Sequence, residues 1–185
     1  MFGRKRRVCP VSLAGTLDNH LRRWVQDPRK IPAPFLREGM TVLDLGCGPG
    51  FFTLDLARMV GPSGRVIAAD LQEGMLQKIR DKIRTTALEQ RITLHLCQED
   101  RINVTEQVDF ALAFYLMHEV SDQGAFFREI ASILKPGGQL LVVEPPLHVS
   151  KKAFAQTVNT ARTAGFTPVP GPQVLLSKTA ILSKD

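Results

Sequence analysis

Asp44, Gly46, Gly48 and Gly50 occupy every second position of the stretch VLDLGCGPGFFTLDLA, from Val42 to Ala57. Glycines at that spacing admit positive φ and leave no Cβ in the way of a group approaching the backbone. Apolar residues precede the turn as a short strand (Val42, Leu43, Leu45) and resume after it at helical spacing (Phe52, Leu56, Val60). The turn therefore ends on the free N–H groups of a helix N-terminus. A ligand-free tight turn needs two glycines; a third, beside a carboxylate, favours a ligand. A second acid, Asp70, closes the apolar run RVIAAD.

The spacing selects among ligands. A dinucleotide turn requires G-x-G-x-x-G, so that the helix can pack close at the third glycine. Here Phe51 holds that position, and a pyrophosphate would be repelled by Asp44. An ammonium group would be attracted instead. Asp70 can accept two hydrogen bonds from a ribose diol, and Leu71 offers an apolar wall for a purine. The pattern suits a nucleoside carrying a cationic amino-acid tail.

Alternating strands and helices must position these groups. After the glycine turn and its helix, GPSG (Gly61–Gly64) turns into the RVIAAD strand, and Met75, Ile79 and Ile83 mark one face of the next helix. RITLHLCQ alternates Ile92, Leu94 and Leu96 against Thr93, His95 and Cys97, as a half-covered strand does, while VDFALAFY reads as a strand buried on both faces. Asp122 caps a helix holding Phe126, Phe127, Ile130, Ile133 and Leu134, which KPGG stops. QLLVVEPP is a fifth strand. Ser150 caps a helix with Phe154, Val158 and Ala161 inward and Gly165 at its end, and TPVPGPQVLLS and KTAILSK are two final strand-like runs.

This alternation predicts an α/β fold, an open doubly wound sheet with helices on both faces and its ligand beyond the C-terminal strand ends. Asp70, Glu99 with Asp100, Tyr115 to Glu119, and Glu144 all fall at such ends. The first forty residues differ, being rich in Arg and Pro. LDNHLRRWVQDP sets Leu17, Leu21, Trp24 and Val25 on one helical face, a stripe that must bury against something. Residues 1–39 are therefore expected to form an arm across the mouth of the sheet, and residues 40–185 the main domain.

Composition limits the function classes. The 185 residues, 44% hydrophobic and 23% charged, make one globular domain of ordinary size with no apolar run long enough for a bilayer. A basic N-terminus without an apolar signal core leads to the expectation of a cytoplasmic protein. Cys9, Cys47 and Cys97 show no CxxC spacing and read as reduced thiols. Much of the net charge of +6 comes from Arg4, Lys5, Arg6 and Arg7, a run that reads as a solvated tail more readily than as a nucleic-acid arm.

VLDLGCGPGFFT, VIAAD, VDFALAFYLMHEV and LKPGGQLLVVEP together resemble the successive motifs of class I S-adenosylmethionine-dependent methyltransferases, from about Met40 to the C-terminus. The resemblance implies a Rossmann-like seven-stranded sheet in the order 3-2-1-4-5-7-6 with strand 7 antiparallel. It implies S-adenosyl-L-methionine as cofactor and S-adenosyl-L-homocysteine as product. Gly46, Cys47, Gly48 and Gly50 would border the cofactor, with Asp44 toward its amino group. Asp70 would hold the ribose, Leu71 and Met75 would pack near the adenine, and Asp100 or Glu99 would meet the adenine amine. Phe114 and Tyr115 stand where a backbone carbonyl receives the methionine amine.

Methyl transfer is an in-line displacement from an activated sulfonium, so alignment and exclusion of water come first. A base is required only for an acceptor that arrives protonated. Candidates at the strand ends are His118, Glu144 and Tyr115, followed by Glu119 and His148, each of which also has a purely structural reading. After the fourth strand the chain has AFYL, not the N/D-P-P-Y/F of amino-methylating nucleic-acid enzymes. Neither the fourth nor the fifth strand end has a nucleophilic cysteine, and EPP supplies no metal-binding Asp-Asn pair. Elimination leaves a metal-independent enzyme acting on a small-molecule acceptor, as a monomer or homodimer and without a membrane. The alternatives are an RNA methyltransferase, a non-catalytic cofactor- or RNA-binding module using the basic face, and a metalloid or thiol methyltransferase involving Cys9. A nicotinamide-dependent dehydrogenase loses on the glycine spacing.

Overall fold

The computed structural model describes residues 26–184 of the chain. Its centre is a seven-stranded sheet in the order β3-β2-β1-β4-β5-β7-β6, the order that the motifs imply. Strands β1 (Thr41–Leu45), β2 (Arg65–Asp70), β3 (Ile92–Leu96), β4 (Val108–Phe114) and β5 (Leu134–Glu144) run parallel. Strand β7 (Lys178–Lys184) is antiparallel to β5 and to the edge strand β6 (Phe166–Pro170). The two final apolar runs thus form the expected hairpin.

Side chains alternate across the sheet and divide the core in two. Val42, Val66, Ala68, Phe110 and Leu112 face one layer, where helices α1 (Thr53–Met59) and α2 (Glu73–Ile83) bring Leu56, Leu76, Ile79 and Ile83. Leu43, Ile67, Ala111, Leu140 and Val142 face the other, against Phe127 and Ile130 of α3 (Gln123–Ile133) and Ala161 of α4 (Lys151–Thr163). Both cap residues act as the sequence suggests. Asp122 accepts from Ala125 N–H and Ser150 from Ala153 N–H, fixing the starts of α3 and α4.

The same alternation sets the directions of the strand-end acids. Asp44 and Asp70 share parity with Val42 and Val66, so they face the α1/α2 layer. Glu144 shares parity with Leu140 and Val142 and faces the α3/α4 layer. The two cofactor-type acids and the fifth-strand acid therefore stand on opposite faces of one sheet.

The β3–β4 connection, where the sequence places no helix, has none, and its residues Ile102 and Val104 are buried in the α3/α4 layer. Two expectations need correction. Leu96 is half-exposed at the end of edge strand β3, so the apolar side of that strand ends at Leu94. KPGG does not lie outside the fifth strand: β5 begins at Leu134, and its pairing with β4 jumps from Val108↔Leu134 to Phe110↔Gln139. The extra residues of Lys135 to Gly138 loop out between those two pairs, with Gly137 at φ +73.

Residues 26–40 lie along the α1/α2 face. Ile31 is buried, Phe35 stacks on Phe110 at 5.8 Å, and Phe35, Leu36 and Met40 pack against the same core. Gln26 reaches the hydroxyl of Tyr115, just past β4. The described part of the arm thus runs from the C-terminal end of β4 back to the start of β1. Leu17, Leu21, Trp24 and Val25, with the basic run and Cys9, lie outside the described residues.

Candidate active site

A cleft of about 720 Å³ opens at the C-terminal ends of β1, β2 and β4. The glycine turn forms one wall. Gly46 and Gly48 take φ of +63 and +54, and the turn is tied to β2 by Cys47 N–H donating to the Ala69 carbonyl at 3.1 Å. From α2, the Lys82 ammonium donates to the Pro49 carbonyl at 2.6 Å. Gly50 does not line the cleft. A Cβ there would stand 3.0 Å from both Ile79 and Leu54. Its role is close approach of α1 and α2, the function that a dinucleotide turn assigns to a later glycine.

Asp44 lines the cleft yet is buried, and its Oδ2 accepts from the Thr53 hydroxyl of α1 at 2.6 Å. Burial pushes its carboxyl up to about 7 against the pull of that hydrogen bond, and the negative charge of Asp70 adds to the rise. Asp70 holds the turn together: Oδ2 accepts from Gly48 N–H and Oδ1 from Gln72 N–H, both at 2.9 Å. Its carboxyl is raised too, by burial, with the backbone N–H groups working in the other direction. Each carboxylate oxygen has a second lone pair for a further donor.

The remaining sequence-derived cofactor residues gather here. Leu71 is exposed over the cleft, Met75 is buried at its floor, and Phe114 closes the β4 end. Glu99 and Asp100 both border it from the exposed turn bridged by Gln98 and Arg101. Cys47 is a buried wall residue whose thiol is held well above its ordinary value, first by burial. Burial likewise pushes Cys97 up to about 12, which disfavours the thiolate at both cysteines. His95 is engaged by the Ile102 carbonyl at 2.6 Å.

The acceptor candidates divide. Tyr115, at φ +59, has its hydroxyl between Gln26 and Ser177 Oγ, the latter at 2.9 Å. His118 sits in the short helical turn Met117–Glu119 after β4 and lines the cleft with Glu119 and His148. Glu144 does not line it. It lies behind His118, 1% exposed, accepting from His118 Nδ1 at 2.9 Å and from Met117 N–H at 3.0 Å. That hydrogen bond raises the His118 imidazole above its ordinary value, in opposition to partial burial. Glu119 is raised by burial. The sequence suggested His118 and Glu144 separately, and nothing in their spacing of twenty-six residues showed that they pair.

These residues fit the expected cofactor on the structure's own terms. Two buried acids line one wall, and burial together with the charge of Asp70 raises the Asp44 carboxyl, so a positive group placed between them would be stabilised. An amino group or sulfonium supplies that positive charge. Positive-φ Gly46 and Gly48 place no Cβ on that wall, where Cys47 is a small buried neighbour.

Comparison with known proteins agrees. Residues 36–171 match a family model described as a methyltransferase domain. The ubiquinone/menaquinone biosynthesis C-methyltransferase UbiE of Pasteurella multocida is 34% identical over 110 residues, 59% of this chain and 41% of the relative. The demethylmenaquinone methyltransferase of Lactococcus lactis is 33% identical over 122 residues, 63% of this chain and 47% of the relative. The chain thus spans about half the length of the curated relatives it matches. A crystal structure of a SAM-dependent methyltransferase from Aquifex aeolicus superposes with a TM-score of 0.84 at 28% identity, covering 95% of this chain and 98% of that one. A SAM-dependent O-methyltransferase from Thermotoga maritima shares the fold at a TM-score of 0.67 and 20% identity, covering 85% of this chain and 64% of that one. With the domain matched over most of its length and the sheet order that goes with it, this chain belongs to the class I S-adenosylmethionine-dependent methyltransferase family.

Proposed function

We propose that the protein transfers the methyl group of S-adenosylmethionine to a small, largely apolar acceptor bound beside the ends of β4 and β5. The observation that carries this reading is the single cleft bordered by both sets of groups. Asp44, Gly46, Gly48 and Asp70 line it, and so do His118, Glu119, Phe126 and His148. Its volume of about 720 Å³ lies within the range of roughly 300–1,000 Å³ usual for small-molecule sites.

In this reading Asp44 faces the methionine amino group, and Asp70 accepts from the ribose hydroxyls while bracing the turn through Gly48. Leu71 and Met75 flank the adenine, and Asp100 or Glu99 meets its amine. The cofactor supplies a sulfonium-activated methyl group. The chain's own part is to align the acceptor and keep the cleft dry. Residues 1–39 act as the arm covering the acceptor side, a role supported by Gln26 standing at the Tyr115 hydroxyl. Two relatives are by name methyltransferases of ubiquinone/menaquinone biosynthesis or of demethylmenaquinone, which supports a quinone-type acceptor.

The test is transfer of labelled methyl from S-adenosylmethionine to a panel of hydroquinones, phenols, thiols, amines, arsenite and structured RNA. Saturable transfer to a small acceptor is expected. Transfer to RNA alone, with a binding constant that falls steeply as salt rises, would move the protein into the nucleic-acid class. Of the described residues, no helix is long and apolar enough to cross a membrane.

A further inference from the structure

We propose that His118 is the general base of the transfer, locked into one tautomer by Glu144, and that the acceptor is therefore a neutral hydroxyaromatic compound that reaches the site protonated. The proposal rests on the small-molecule reading above and narrows its substrate class.

Glu144 is buried at the end of β5 with both oxygens engaged, one by Met117 N–H and the other by His118 Nδ1. An ionised carboxylate only accepts, so Nδ1 must carry the hydrogen of the neutral ring, and Nε2 presents its lone pair. Among the described residues no hydrogen-bond partner is found for Nε2. The imidazole is the partition between two spaces, bordering the main cleft on one side and a polar cavity of about 280 Å³ on the other. Glu144 opens only to the second cavity, so it is a positioning residue and touches no acceptor.

The charged surroundings of His118 favour this role. Glu144 from β5 and Glu119 from its own turn both raise the imidazole, and the His148 ring lies 6.3 Å away, nearly parallel. Asp122, at the start of α3, borders the cleft, and α4 presents only Ala153, Gln156, Thr157 and Thr160 to the second cavity. A base of this kind suits an acceptor hydroxyl near 10, the phenolic range; a thiol near 8.5 ionises with far less help.

The cleft wall offers aromatic surface against which a planar ring can lie. Phe52, Phe114 and Tyr115 stand in series with ring centroids 4.5 and 4.4 Å apart, all bordering the cleft. Asp70, Asp100 and Glu119 on the same cleft oppose an acceptor that is already anionic.

The step balances as follows. The acceptor O–H bond breaks, its proton goes to His118 Nε2, and its electron pair stays on the ring system. That pair, on oxygen or on the adjacent ring carbon, forms the bond to the methyl carbon, while the pair of the breaking carbon–sulfur bond goes to sulfur. Where carbon is methylated, that carbon then loses its hydrogen as a proton and aromaticity returns. Once the product has left, the imidazolium, still paired with Glu144 through Nδ1, releases the Nε2 proton to solvent through the open cleft, which restores the Nδ1–H tautomer.

His118→Gln and Glu144→Gln test the proposal. A glutamine at 144 can still accept from Met117 N–H through its oxygen, but turns its amide N–H toward Nδ1. The imidazole hydrogen must then move to Nε2, and the base is blocked with the geometry kept. In the apo proteins, nitrogen NMR of the imidazole should show His118 as the Nδ1–H tautomer titrating above 6.5 in the wild type. In Glu144→Gln it should show the Nε2–H tautomer titrating lower. Both variants should lower kcat for hydroquinone and phenol acceptors about 100-fold or more, with cofactor Kd unchanged by calorimetry. The acidic limb of the wild-type pH–rate profile should follow the NMR titration. An Nε2–H tautomer in the wild type overturns the proposal. So does an unaltered kcat in His118→Gln, in which the partly exposed amide side chain can still donate to the buried Glu144 but cannot act as a base. Methyl transfer confined to thiols or amines, indifferent to His118, overturns it while leaving the small-molecule reading in place. Transfer to no small acceptor at all overturns both.

Discussion

Lowering the pH from 7 to 5 should weaken S-adenosylmethionine binding about fiftyfold, and Asp44 should be the reason. Its carboxyl titrates at about 7 in the unliganded protein because burial at the end of β1 outweighs the Thr53 hydrogen bond. A ligand ammonium requires the ionised form. An α-amino group with a pKa of roughly 7.7–8.0 stays protonated over this interval, so the carboxylate is what changes. The ionised fraction falls from about one-half at pH 7 to about one-hundredth at pH 5, which corresponds to about 2.3 kcal/mol.

The unliganded protein should respond in the opposite direction. An Asp carboxyl raised from 3.8 in the unfolded chain to about 7 in the fold contributes stability that is complete below 3.8 and lost as the pH rises through 7. Its upper bound is about 4 kcal/mol, and the raised His118 acts with the same sign. Melting temperature without cofactor should therefore rise between pH 8 and 5 while affinity falls. Calorimetry in buffers of different ionisation enthalpy should detect up to one proton released per cofactor bound near pH 6. Asp44→Asn should bind weakly and show no pH slope over the same range. A flat wild-type affinity, or an Asn variant that keeps the wild-type slope, would refute the assignment of the cofactor ammonium to Asp44.

Further outcomes follow from the same geometry. Asp70→Ala strands the Gly48 and Gln72 N–H donors, at about 1–3 kcal/mol each, and should lower both melting temperature and cofactor affinity, the latter at least tenfold; calorimetry and thermal melts read both. Gly50→Ala places a Cβ at φ +89 against Ile79 and Leu54 and should cost about 1–3 kcal/mol of apo stability, with less effect on binding than Gly48→Ala in the cleft wall. Phe35→Ala should destabilise the apo protein by about 2–4 kcal/mol through loss of the Phe110 stack, with cofactor affinity unaltered. A chain beginning at Pro34 should keep cofactor binding through Asp44 and Asp70 but lose turnover; full turnover would remove the arm from the acceptor site.

The site was legible where local rules suffice. Strand parity is period two, so the chain shows that Asp44 and Asp70 must share a face once β1 and β2 are paired in parallel. Caps at Asp122 and Ser150 are equally local, each a side chain and a backbone N–H three residues on. What escaped depends on partners far away in the chain. Gly50 looked like cofactor wall because it sits in the glycine run, yet its neighbour is Ile79, from the following helix. KPGG looked like a terminator because Pro and Gly end helices, but β4 supplied pairing partners on both sides of it. Leu96 looked buried because it alternates with His95, but β3 is an edge strand and no helix follows to cover it.

The pairing of His118 with Glu144 belongs to this second kind and shows what the fold adds to the motifs. Parity turns Glu144 to the face opposite Asp44, away from the wall that the glycine turn builds. A carboxylate buried on that face needs donors, and after β4 the chain offers them in one short turn: the Met117 N–H and the His118 ring. Had Glu144 ended its strand one residue earlier or later, it would face the α1/α2 layer with the other acids, and three carboxylates would compete for one cation. Instead the sheet itself separates the acids near the expected cofactor cation from the acid that polarises an imidazole. The cleft meets the first pair directly and the third only through His118. Cofactor affinity and proton transfer can therefore be perturbed independently, by Asp44→Asn on one face and Glu144→Gln on the other.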